Sequence, residues 1–307
     1  SEIRSMSTSD LEAEFESRVE STDSLSGTDL QTAKEEARFI GGVLASRADS
    51  NFSASDIYQD NDISTRMPGG SIVNPSGSEE LVDETLNEMT AVFQQCDEYV
   101  AGQIAQEIDV IGFETSIDTP ANFGSGVLRI NTDSISASDI TNSAEPVDAS
   151  QQYSFEEARE NGPLYSVETN IADASFGKRT IIHEMGHALH NHLGITEAGR
   201  RDILEENIPP GGLNLDPAHI SDTPDIGFER REQLMTRLKS VGDSLQESRK
   251  YKLGEADSLP SRTNVPIRKY QLASSNEVFA VGFAAYQNDI VTATTNQREL
   301  VETFDEF

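Results

Sequence analysis

Apolar side chains at Val82, Leu86, Met89, Phe93, Cys96, Val100 and Ile104 follow one another in steps of 4-3-4-3-4-4. Steps of three and four keep residues on one face of an α-helix. The pattern therefore predicts one amphipathic helix over 79–108, with Cys96 packed on its buried stripe. Two polar helices are predicted upstream. The first, over 8–20, follows the cap-like "STSD"; the second, over 28–47, turns Ala37, Ile40 and Leu44 inward and is weakened by Gly41 and Gly42. Between that helix and residue 78 the chain is rich in Ser, Asp, Asn, Gly and Pro, and reads as a loop or an extended arm.

Beyond Ile108 the periodicity shortens. "DVIGFET", "GVLRIN" (126–131) and "LYSVET" (164–169) are β-branched runs bounded by turn formers, and predict strands. Helices are expected again over 155–160, 177–193, 197–206, 229–249 and 275–287, with an irregular loop over 207–227. The mixture predicts an α+β fold, mostly helical with a small sheet. A boundary is placed near residue 78, separating a polar helical or extended N-terminal region (1–78) from a domain over 79–307.

Charge changes the picture next. The chain holds 54 Asp and Glu against 23 Lys and Arg, a formal net charge of −31, and only six of the basic residues are lysine. Such a surface repels nucleic acid and anionic lipid, so neither is expected as a partner. It also repels itself, which points to a protein working in high salt, where the repulsion is screened. Cys96 is the single cysteine, which excludes an intrachain disulfide and a cysteine-rich metal site. With neither a signal-like start nor a transmembrane-length apolar run, the expected location is soluble and cytoplasmic.

Four of the five histidines stand within "IIHEMGHALHNHLG", residues 181–194. On a helix advancing 100° per residue from His183, His187 falls at about 40° and His190 at about −20°. Ile181, Ile182, Met185, Ala188 and Leu189 gather on the far side, between about 140° and 260°. One face is core and the other imidazole, on a helix opened by Arg179 and Thr180 and ended by Gly194. Two imidazoles one turn apart can converge on one ion, and Zn²⁺ suits such nitrogen ligands. Glu184, between them in sequence, is placed to take a proton from water acidified by that metal: the HExxH arrangement of metal-dependent hydrolysis. His190 reads as a hydrogen-bonding neighbour, a cleft wall or a surface side chain. His192 lies on the apolar side, and His219 stands alone in a loop.

Catalytic zinc needs a third protein ligand. The HExxHxxGxxH solution fails, because His190 and Leu193 occupy its last two positions. "HEMGHALH" followed by "YQLASSNEVFAVGFAAY" (270–286) resembles the gluzincin metalloproteases, in particular the branch that includes anthrax toxin lethal factor. The resemblance implies a zincin-like catalytic domain, Glu277 of "EVFA" as third zinc ligand beside His183 and His187, and Tyr270 as an oxyanion donor. By analogy, "GVLRIN" would be the edge strand that pairs with extended substrate. One position departs from the family's E-x-F-A-E: its second glutamate is Val281 here, and loss of a ligand-orienting carboxylate weakens metal affinity about ten- to a hundredfold. The resemblance implies an endopeptidase acting on polypeptides. The alternative is a zincin-like domain kept as a structural or interaction component, for example of a haloarchaeal virus particle, joined to a larger assembly through the N-terminal region.

Overall fold

The structure is a computed structural model and describes residues 2–60, 70–73, 79–115, 117–142, 175–192 and 275–287. Residues 1–142 together with 175–192 form one compact unit, and the remainder forms a second. The strand expected over 164–169, the helices over 155–160, 197–206 and 229–249, and the loop over 207–227 lie outside the described residues.

In the first unit the chain runs through α1 (Glu2–Ser5), α2 (Thr8–Ser21), α3 (Gly27–Ser46), α4 (Ala54–Ile57), β1 (Tyr58–Asp60) and β2 (Gly70–Val73). It continues with α5 (Glu79–Gln95), α6 (Glu98–Glu107), β3 (Val110–Glu114), β4 (Ala121–Gly124), β5 (Val127–Asn131), α7 (Ala137–Thr141) and α8 (Phe176–His192). The described part of the second unit is α9 (Ser275–Gln287), with the bounds expected from its pattern. The architecture is thus α+β, mostly helical with a small mixed sheet.

The sheet has the order β1-β2-β3-β5-β4, parallel except for β4. In register, Ile72, Ile111 and Leu128 form one row and Phe113 and Ile130 another. All five side chains are buried, so alternation along each strand builds one apolar face. On the other face Glu114 and Arg129 approach to 3.7 Å across the strands. Three sequence expectations are corrected here. The segment expected to be a loop up to residue 78 contributes α4, the edge strand β1 and its parallel neighbour β2. "GVLRIN" supplies β5, which lies inside the sheet; the edge beside it is β4, a strand the hydrophobic pattern did not reveal. Ser125 and Gly126, at φ 52° and 78°, close the β4–β5 hairpin as a two-residue turn of the type that fits strand twist.

The third correction concerns the long helix predicted over 79–108, which is two helices. The side chain of Asp97 accepts the amide hydrogen of Tyr99 at 2.9 Å and caps α6, interrupting α5 at Gln95. Cys96 falls in the break and is half-buried, not part of a core stripe. Leu86, Met89 and Phe93 of α5, and Val100 and Ile104 of α6, are buried as expected.

α3 and α6, on either side of the expected boundary, pack along each other within one compact unit. Gly42, which read as a weak point, is what permits close approach to α6, while a Cβ on Gly41 would stand 2.7 Å from Ile57 Cγ1. A Cβ on Gly42 would stand 2.5 Å from the Ala101 carbonyl oxygen and 2.7 Å from Ala105 Cβ, and one on Gly102 would meet the Phe39 ring at 2.8 Å. Arg38, 1% exposed, extends from α3 to the end of α6. Its guanidinium donates to the Gln106 carbonyl at 3.0 Å and to Asp109 Oδ1 at 2.8 Å, while the Tyr58 hydroxyl donates to the Ala105 carbonyl at 3.2 Å. Carbonyls that the end of α6 would leave unpartnered are thereby satisfied. Burial pushes the Tyr58 hydroxyl pKa far above its ordinary value. Arg47 adds a forked pair to Glu98, both contacts at 3.1 Å, and donates to the Met6 carbonyl at 2.8 Å.

Gly42→Ala tests this packing. Helix propensity favours alanine by about 0.8–1.0 kcal/mol, but overpacking against backbone costs about 1–3 kcal/mol. The contact falls on a carbonyl oxygen that cannot swing aside, so the cost wins. A urea titration is expected to show a lower midpoint, by the equivalent of about 1–2 kcal/mol; an unchanged or raised midpoint would show that the helices can separate freely.

Candidate metal centre

Helix α8 begins earlier than Arg179. Ser175 caps it, its hydroxyl accepting the Lys178 amide hydrogen at 3.3 Å while donating to the Ile140 carbonyl at 2.7 Å. Gly177 backs onto α7 so closely that a Cβ would stand 2.8 Å from the Asp139 carbonyl oxygen. Lys178 Nζ lies 3.5 Å from Glu88 Oε1 on α5. Near the other end, Asn191 Nδ2 donates to Glu107 of α6 at 2.6 Å. Gly194, expected to end the helix, lies outside the described residues.

Ile181, Ile182, Met185, Ala188 and Leu189 are all buried, as the wheel predicted. The opposite side is not a solvent face, however. His183 is 5% exposed, Glu184 7% and His190 2%, and His187 is the partly open member of the group. His190 is therefore no surface side chain. His219 lies outside the described residues.

The structure brings His183, Glu184 and His187 together. Each offers one ligand atom, and these atoms all lie within 4.8 Å of one another. The Nε2 atoms of His183 and His187 are 3.1 Å apart, with ring centroids at 4.7 Å and ring planes at 89°. At that separation at most one of the two nitrogens carries a proton, which it donates to the lone pair of the other. A tetrahedral zinc with Zn–N bonds of 2.0–2.1 Å places two nitrogen ligands roughly 3.3 Å apart. The observed spacing is close to that tetrahedral edge, so the donor set fits Zn²⁺ with little movement.

The remaining expected site residues divide. Glu277 is the third residue of α9, in whose middle Phe279, Ala280, Val281, Gly282 and Phe283 are buried in succession. Tyr270 lies outside the described residues. Sequence reading missed Ser175, Lys178 and Glu88 as anchors of α8. The signal for Glu88 was available: Leu81, Thr85, Glu88 and Val92 form a second buried row on α5, beside Leu86, Met89 and Phe93.

Compared with protein-family models, curated proteins and solved structures, the chain matches none. Among the described residues, no helix is long and apolar enough to cross a membrane.

Proposed function

We propose that this chain is a zinc-dependent endopeptidase with a zincin-like catalytic domain. The observation that supports the reading most is the convergence of the His183 and His187 Nε2 atoms to 3.1 Å, with the Glu184 carboxylate inside the same cluster. When bound, Zn²⁺ supplies a Lewis acid that acidifies water and polarises a peptide carbonyl. Glu184, held in a buried position one residue from His183, accepts the proton of the attacking water and delivers it to the leaving amine. Glu277 as third ligand and Tyr270 as hydrogen-bond donor to the developing oxyanion enter the proposal on the sequence resemblance alone. Substrate is expected to be polypeptide.

The test is a peptide library incubated with the zinc-loaded chain in concentrated KCl. Cleavage that a chelator abolishes and added Zn²⁺ restores is the expected result. Cleavage insensitive to chelation would remove the metal from the chemistry. A chain that holds no zinc and cuts nothing would favour the structural or interaction role instead.

A further inference from the structure

Glu88 is a buried charged side chain that the proposed chemistry does not use. It is 8% exposed on α5, in a row otherwise made of Leu81, Thr85 and Val92, and its carboxylate faces Lys178 in the first turn of α8. That turn is held from a second side by Ser175 on the Ile140 carbonyl and by the close approach of Gly177 to Asp139. His183 follows Lys178 by five residues, so any rotation or slip of this turn is passed along a rigid helix to both imidazoles. Metal ligands tolerate only about 0.5 Å or 10–20° of such error.

We propose that Glu88 is a positioning residue for the metal helix: through Lys178 it fixes the first turn of α8 and with it the direction in which His183 and His187 point. This rests on the zinc reading above. The alternative, that Glu88 is there for stability, meets a physical objection. Burial pushes its carboxyl up to about 7, and Lys178 offsets that only in part. A carboxyl with a folded-state value above the unfolded one binds protons more tightly when folded. Its contribution to stability is greatest below the unfolded value and falls as pH rises toward 7, remaining lost above. Near neutrality and beyond, an ionised Glu88 therefore works against the fold. Buried ion pairs are often no more stable than neutral replacements of the same shape.

Stability and metal affinity should consequently move apart. The experiment compares wild type, Glu88→Gln, Lys178→Met and Ser7→Ala in concentrated KCl at pH 8.5. Zn²⁺ affinity is read by chelator competition and stability by urea titration. Ser7→Ala, which removes a cap on α2, serves as the control for simple destabilisation. Glu88→Gln is expected to bind zinc about ten- to a hundredfold more weakly, with a urea midpoint equal to or above that of wild type. Lys178→Met is expected to lose affinity in the same range, and decides the matter should Glu88→Gln fail to fold. Ser7→Ala is expected to lower the midpoint and leave affinity unchanged. Affinities within twofold of wild type in both site variants would overturn the proposal, as would an equal loss of affinity in Ser7→Ala. A wild-type chain that takes up no zinc would overturn the zinc reading, and this proposal with it.

Discussion

Glu184→Gln is expected to keep wild-type zinc affinity and to lose peptide cleavage by about 10²–10⁴-fold, the range for removal of a general base. The substitution preserves shape and removes the ability to accept a proton from water. Zinc retention is the informative half of the result. The Glu184 carboxylate lies within 4.8 Å of the histidine ligand atoms, so the cluster taken alone admits it as a ligand. A ligand role predicts that glutamine, a far poorer oxygen donor to zinc, releases the metal; a base role predicts that it does not. Isothermal titration with Zn²⁺, run beside a single-turnover cleavage assay on the same preparation, separates the two. Full activity in the variant would end the assignment of Glu184 as base.

The second large effect concerns salt. A net charge of −31 is spread over a chain with few lysines to neutralise it. The Debye length falls from about 10 Å at 0.1 M to about 3 Å at 1 M, so neighbouring carboxylates that repel in dilute buffer cease to do so. The unfolded chain is more expanded and gains less from screening, so salt favours the folded state. Each kcal/mol recovered moves the midpoint by about 2–4 °C for a unit the size of residues 1–142 with 175–192. Differential scanning calorimetry is expected to show the midpoint rising by roughly 5–10 °C or more between 0.1 and 2 M KCl. A flat profile would mean that charge repulsion is a minor term and that the acidity serves solubility alone.

How much of this could be read beforehand differs between elements, for physical reasons. α3, α8 and α9 announce themselves because a helix repeats its burial pattern every turn over many residues. The histidine spacing was legible for the same reason, since four residues fix one helical turn wherever the helix sits. β1 and β2 were hidden because strands of three or four residues carry too few positions to show alternation, and their partners are distant in sequence. β4 left a mark that hydrophobicity does not register: the Gly124-Ser125-Gly126 turn, whose positive φ angles close a hairpin. The break at Asp97 was masked because the apolar steps continue across it; the capping side chain of Asp97 marked the boundary, and the stripe did not. Gly42 shows the limit of propensity. Intrinsically it weakens a helix, and in the fold it is the position at which two helices meet. A ligand expected from a separate helix has no local spacing to the histidines, so Glu277 was reached only through resemblance.

The most direct test of a two-histidine zinc centre is X-ray absorption at the zinc edge on the loaded protein, beside His183→Ala and His187→Ala. The account predicts two imidazole nitrogens at about 2.0–2.1 Å completed by oxygen ligands, with the imidazole scattering reduced in each variant. Zinc surrounded by oxygen alone, and unchanged by either substitution, would place the metal on the acidic surface and contradict the account.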